Sequence, residues 1–275
     1  MTGRARRLLC AIGMAFCAIH AGAADKPYEF GVLPYLPATK IHELYHPMAL
    51  DFEAKLGRQV RLRSKAGYGA FGEELRREMY DIAFVQPFDY VDAHDNHGYL
   101  PLARRPGDLQ ALIVVRDDSP LETLKDLKGK IVANPPSDAA VSHLTSIALL
   151  EAGIDPTSGV KRDYGKNHFT CVQSVVIGAA DACGVAGPPF RRLEEQTRAT
   201  TRLRILDKTV GIPRPLFVVH KRVPSKDREI LLKTIVDWSK TEEGKKILDA
   251  GQLTPFVAAR DADYEVVRRH IRSTK

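Results

Sequence analysis

From Tyr28 almost to the end of the chain, short β-rich runs alternate with segments of helical periodicity. YEFGVLPY is apolar and β-rich. Ile41, Leu44, Tyr45, Met48, Phe52 and Leu56 then recur at helical spacing, and Gly57 supplies a stop. QVRLRS alternates as a strand, and FGEELRREM reads as a helix with Phe71, Leu75 and Met79 turned inward. DIAFV, ALIVV, KIVA, KRDYG, DACGVA, LRIL and PLFVVH read as further strands. Helices are expected over LETLKDL, over 139–152 closed by Gly153, and over 170–177 closed by Gly178. The last third is helical, with Ser225 as an N-cap and Trp238 packed inward. Strands alternating with helices imply mainly parallel sheets covered on both faces. Ligands of such folds sit at the carboxyl ends of strands, where helix N-termini point. No Gly-x-Gly-x-x-Gly run or P-loop lysine follows any strand, so nucleotide chemistry has no support.

The first residues carry a different signal. Arg4, Arg6 and Arg7 precede an apolar stretch from Leu8 to Ile19, and Ala21-Gly22-Ala23 offers small residues for cleavage. This reads as a secretory signal over 1–23, too short to span a membrane. The mature chain is expected to begin near Ala24, soluble and without a lipid anchor, in a Gram-negative type of periplasm. Removing three arginines lowers the formal charge from +7 to +4, which gives no footprint for nucleic acid. Cys171 and Cys183 survive processing, and an oxidising compartment favours a bridge between them.

Two motifs raise the possibility of enzymology. His42-Glu43-Leu44-Tyr45-His46 matches H-E-x-x-H, the zinc-protease pattern. Pro47 follows it, lacks an N–H, and disfavours helical dihedrals at His46, so the paired-ligand geometry is expected to fail there. No third ligand follows at a familiar offset. His168 lies three residues before Cys171, which invites a Cys/His hydrolase, but a disulfide would remove the nucleophile. His94 and His97 sit at an expected helix end and read as surface capping residues.

The order FGVLPY, HPMALDFEAKLG, DIAFVQPFDYV, ALIVVRDDSPLETLKDLKGKIVA, ALLEAGID, NHFTCVQSVVIGAADACGV, PLFVVHK resembles the periplasmic solute-binding proteins of phosphate, phosphite and phosphonate ABC transporters. The resemblance runs from about Tyr28 to Asp261. It implies a type 2 periplasmic binding protein: two α/β lobes, each a mainly parallel sheet flanked by helices, with the ligand cleft between them. Lobe 1 is expected over 24–111 and 216–275, and lobe 2 over 112–215. It further implies hinge closure on a ligand, a monomer, no catalysis, and no cofactor or metal. The family's counterpart of HELYHP also carries the proline and is no metal site. The expected membrane partner is an ABC permease, another transporter or a sensor protein.

The resemblance also places the cleft. Tyr35 and Tyr68 match cleft positions, Phe84, Gln86 and Phe88 surround the VQPF turn where the family usually has Gly-Pro, and Leu109 falls at the crossing where the family usually has Tyr. The family's hydroxyl-rich run before a long helix becomes NPPSDAAVSHL, where Ser137 keeps one hydroxyl and Asp138, Ala139 and Ala140 replace other donors. His168 is retained, Phe169 stands where the family has an acid, and Pro188 replaces a polar position. Burying apolar side chains against an apolar ligand gains roughly 25 cal/mol per Å², whereas a buried phosphate without donors costs several kcal/mol. The sequence therefore leads us to expect a ligand more apolar than a phosphonate: lipid-like, sterol-like, or a neutral or aromatic metabolite. The alternative is an ordinary phosphate, phosphite or phosphonate carrier, with Ser137, Ser142 and Thr145 rebuilding the anion site.

Overall fold

A computed structural model describes residues 26–197, 201–251 and 253–273. The expected export signal over 1–23 lies outside them. The strands are β1 (Tyr28–Val32), β2 (Val60–Arg63), β3 (Ile82–Val85), β4 (Tyr99–Arg104), β5 (Asp108–Leu109), β6 (Ala111–Arg116), β7 (Ile131–Asn134), β8 (Lys161–Tyr164), β9 (Ala182–Ala186), β10 (Leu203–Lys208), β11 (Ile212–Pro213), β12 (Leu216–His220) and β13 (Val257–Ala258). The helices are α1 (Ala38–Leu56), α2 (Tyr68–Arg76), α3 (Pro87–His97), α4 (Ala140–Glu151), α5 (His168–Val176), α6 (Gly187–Thr197), α7 (Ser225–Asp237), α8 (Glu242–Ala250) and α9 (Glu265–Ser273).

These strands form two principal sheets. One has the order β13-β4-β12-β3-β1-β2, the other β10-β6-β9-β7-β8. β1 pairs in parallel with β2 and β3, and β7 with β8 and β9, as the strand–helix alternation requires. The antiparallel members β12 and β6 enter where the chain passes from one sheet to the other. Beside those passages β5 and β11 pair with each other, Leu109 opposite Ile212.

Burial explains the larger sheet. Phe30, Phe52, Phe84, Phe217, Trp238 and Phe256 pack edge-on, tilted or stacked, with neighbouring ring centroids 5.0–6.1 Å apart. Such pairs add about 0.5–1.5 kcal/mol each beyond their burial. Trp238 is buried as expected, and its indole N–H reaches Asp51 at 2.8 Å. The start of α4, through Ala139, Val141, Leu144 and Ile147, belongs to this same hydrophobic cluster. That helix is seated on β9 and β6 of the second sheet, and its apolar residues carry the first sheet's cluster across to it.

Three sequence expectations are corrected. α1 runs straight through Pro47, with Ile41, Tyr45, Met48, Ala49 and Phe52 buried on one face. The side chains anchored on either side outweigh the one backbone hydrogen bond that proline forfeits. His42 and His46 consequently do lie one turn apart, their rings stacked 4.6 Å centroid to centroid. What stands against a metal site is the ligand count. No group of three or more His, Cys, Asp or Glu among the described residues could hold an ion. Met79 falls beyond the end of α2 and is 44% exposed, because Glu78 takes a left-handed conformation at φ 56°. Ser225 is the first residue of α7 rather than its cap; Pro224 holds the N-cap position with no side-chain bond.

Gly57, at φ 64°, closes α1 by donating its N–H to the Glu53 carbonyl, a left-handed position that glycine occupies without strain. Among the described residues no helix is long and apolar enough to cross a membrane.

Candidate functional site

The N-termini of α3 and α4 meet between the two sheets. Both follow the carboxyl end of a strand: VQPF leaves β3 and NPPSDAA leaves β7. Pro87 at the first position of α3 presets the helix and has no N–H to leave unpaired. Gln86, 3% exposed, bridges the gap. Its Nε2 donates to the Asp138 carbonyl oxygen at 2.6 Å, and its Oε1 accepts the Ala140 N–H at 2.9 Å. A side chain on one sheet thus caps the helix on the other.

Tyr68 opens α2 on the same side, and Gly69 beside it lies against Asp138, with a Cβ there meeting Asp138 Oδ2 at 3.4 Å. Burial, then the nearby Asp89, Tyr35 and Asp138, pushes the Tyr68 hydroxyl well above the ordinary phenol value, so it stays a donor. Tyr35 sits on the loop after β1, its hydroxyl 3.1 Å from that of Tyr45. Ser137 is exposed and donates to Asp138 Oδ1 at 2.5 Å. Phe88 packs against His143 with ring centroids 4.7 Å apart and planes tilted by 34°.

The structure therefore brings together Tyr35, Tyr68, Gln86, Phe88, Ser137 and Asp138. Phe84, 5% exposed, packs in the aromatic core beneath Tyr35 and serves as floor, not wall. Phe169 is 51% exposed on the first turn of α5, where it offers an apolar ligand little burial. Leu109 and Pro188 lie away from these residues and line a cavity of about 590 Å³ on the hinge side. Ser142 and Thr145 are buried and spend their hydroxyls inside the helix region, on the Pro135 and Val141 carbonyls at 3.1 and 2.8 Å. They do not rebuild an anion site.

His168 is the first residue of α5, and its Nδ1 faces the Ala186 N–H at 3.5 Å. Burial holds its imidazole down at about 4, against an ordinary value of 6.5. The folded state therefore prefers neutral His168. Stability it confers is present above pH about 6.5 and is lost as pH falls through about 4. We expect His168→Gln to flatten the acid side of the stability profile between pH 6.5 and 4, measured by urea midpoints; an unchanged slope would remove His168 as its source.

Cys171 on α5 and Cys183 on β9 are bridged, with Cα atoms 5.8 Å apart. The bridge consumes the thiol that a Cys/His hydrolase would need.

Four further candidate residues escaped the sequence reading. Asp89, three residues beyond Gln86, is one; burial raises its carboxyl to about 7, with Gln86 and Arg76 pulling down and Asp138 and Asp92 pushing up. The other three are Arg105, Arg191 and Arg214. Burial lowers Arg214 below the ordinary guanidinium value, Arg105 and Arg191 lower it further, and Asp108 opposes them. Arg105 also acts on the hydroxyls of Tyr35 and Tyr45, which places its charge at the cleft. A usable signal was present: VQPFD puts an acid in the first turn of a helix after a buried strand, and PRP puts an arginine at a chain crossing.

The family of phosphonate ABC transporter periplasmic substrate-binding proteins matches residues 30–264. The chain belongs to this family. It is accordingly a periplasmic solute-binding component of an ABC transporter, and such proteins bind small ligands and deliver them to a membrane permease. It is 21% identical to the phosphonates-binding periplasmic protein of Escherichia coli (strain K12), over 91% of this chain and 77% of that one. PhnD1 of Prochlorococcus marinus, solved with methylphosphonate, superposes with a TM-score of 0.78 at 18% identity, covering 90% of this chain and 98% of that one. A Xanthomonas citri protein solved with ATP superposes with a TM-score of 0.74 at 17% identity, covering 89% and 98%. These likenesses bear out the two-lobed α/β binding-protein fold.

The Gln86 bridge supplies a test of its own. Two hydrogen bonds across the cleft, each worth about 1 kcal/mol net, favour closure by roughly 10- to 30-fold. Gln86→Leu should therefore raise the radius of gyration of ligand-free protein in small-angle scattering; an identical profile would show that the bridge does not hold the lobes.

Proposed function

We propose that this protein carries a small phosphorus oxyanion or organophosphonate to its permease, acting as a monomer after export by residues 1–23. Lobes 24–111 with 216–275, and 112–215, close about the β5–β11 pair. The observation that carries this reading is the polarity of the cleft. The N-terminus of α3 and the hydroxyls of Tyr35 and Tyr68 face it, and the guanidinium groups of Arg105, Arg191 and Arg214 stand on its hinge side. Such donors favour an anion. The relatives named for phosphonates, and the neighbours solved with methylphosphonate and ATP, support the same class.

The family match and the cleft favour this reading over the apolar ligand expected from the sequence. Of the aromatics that suggested an apolar wall, Phe84 is core, Phe169 faces solvent, and Phe88 is spent on His143.

A thermal-shift panel tests the proposal with phosphate, phosphite, methylphosphonate, phenylphosphonate and a long-chain fatty acid. A ligand at 100 times its Kd adds about 2.7 kcal/mol, or about 5–10 °C in Tm for a chain of this size. Such a shift from a phosphorus oxyanion is expected; a shift from the fatty acid alone would restore the apolar reading.

A further inference from the structure

We propose that the phosphoryl end of the ligand is held on the hinge side of the cleft by Arg191 and Arg214, with Arg105 beside them, and not by the N-terminus of α4. This deepens the proposed function and rests on it.

The cavity of about 590 Å³ is the first ground. It opens between α6, the edge strand β10 and the hinge strands, lined by Leu109, Pro188, Arg191, Leu203, Lys208 and Arg214 among others. Its size suits an oxyanion on an organic body. Arg191 comes from α6 and Arg214 from the connection between β11 and β12, so an anion between them would be gripped by two separate segments.

The second ground is what the arginines are not doing. Arg104, next to Arg105, pairs with Asp263 at 3.2 Å, and Arg204, also at the cavity, donates to the Ser119 carbonyl at 3.0 Å. Among the described residues neither Arg105, Arg191 nor Arg214 forms an ion pair; Arg105 has only Thr254 Oγ1, at 3.4 Å. Grouped like charges repel, and a doubly charged oxyanion offsets that repulsion while matching the planar fork of each guanidinium. Asp108 and Glu194 also line the cavity, but basic side chains outnumber them.

The third ground is the state of α4. Its Ala140 N–H is given to Gln86, the Ala139 N–H to the Pro136 carbonyl at 2.9 Å, and the Asp138 carboxylate stands beside them. An oxyanion there would have to displace an amide and face a carboxyl group. The family's hydroxyl run has been lost from this helix, and on this account its duty has passed to arginines drawn from elsewhere in the chain.

The ligand class is a phosphoryl dianion on an organic group, with either a carbon–phosphorus or an ester linkage. Calorimetric titration of the wild type, Arg191→Ala, Arg214→Ala and Ser137→Ala with methylphosphonate, phenylphosphonate and phenyl phosphate tests it, with thermal unfolding of each variant as a check on folding. The expected result is wild-type binding of at least one probe, weakened about 10- to 100-fold by each arginine change. The preferred linkage is read from phenylphosphonate against phenyl phosphate. Arg214→Lys, which keeps the charge but not the fork, should recover only part of the loss. Binding within twofold of wild type in both arginine variants, with the loss in Ser137→Ala instead, overturns the inference and leaves the proposed function standing. A wild type that binds none of the three probes overturns both.

Discussion

Replacing Gly184 by alanine is expected to lower stability by about 3 kcal/mol. Gly184 lies in β9 directly under α4. A Cβ there would meet Thr145 Oγ1 at 2.0 Å, Asn134 Nδ2 at 2.6 Å and Thr145 Cβ at 3.1 Å. None of these atoms sits on a flexible end. Thr145 is fully buried in α4, with its hydroxyl on the Val141 carbonyl, and Asn134 is fully buried in β7, donating to Thr145 at 3.1 Å. The helix must lift or the Asn134–Thr145 bond must break. Overpacking costs about 1–3 kcal/mol, and an unsatisfied buried amide about 1–3 more. The urea midpoint and a fall of about 6–12 °C in Tm would report it. The same lift shifts the N-terminus of α4 away from Gln86, so the effect should reach the cleft. A change under 0.5 kcal/mol would mean that α4 is not seated on β9 as described.

Reduction of the Cys171–Cys183 bridge should cost a similar amount. The two residues are 12 apart in sequence, and the chain-entropy relation gives roughly 3 kcal/mol for a loop of that size. Both sulfurs lie in the small core under α5 and α6, with Val172, Val175, Phe190 and Leu193 around them. The double variant Cys171→Ala, Cys183→Ala should match the reduced protein within about 1 kcal/mol, because little volume is lost. Equal stability of oxidised and reduced protein would show that the loop is ordered by packing alone. The consequence for function is local. α5 begins at His168, and its seat on β9 fixes the strand end from which Gly187 and Pro188 reach the hinge-side cavity.

Most of the strand–helix order was legible because each element carries its own signal. α1 shows its buried face at Ile41, Tyr45, Met48 and Phe52 and its stop at Gly57. What was not legible is non-local. Pro47 reads as a helix breaker, yet anchors on both sides hold the helix through it. The pairing of β5 with β11 joins residues about a hundred positions apart and has two residues per strand, too short for a pattern.

The site divided in the same way. Tyr35, Tyr68, Gln86 and Asp138 were legible as candidates because each sits just after a strand or near the start of a helix, where a resemblance can be read in one stretch. Phe169 was read as a wall and lies in solvent, since sequence order does not say which way the first turn of α5 faces. Arg105, Arg191 and Arg214 come from three separate segments. A charge carries no periodicity, so only the folded chain shows that they meet.

The most direct measurement is a crystal structure of the chain with the phosphonate that shifts its Tm furthest. The account predicts density for the phosphoryl group between the six- and five-stranded sheets, within hydrogen-bond reach of the Arg191 or Arg214 guanidinium. A phosphonate bound outside that cleft, or an apolar molecule filling the cleft in its place, would contradict it.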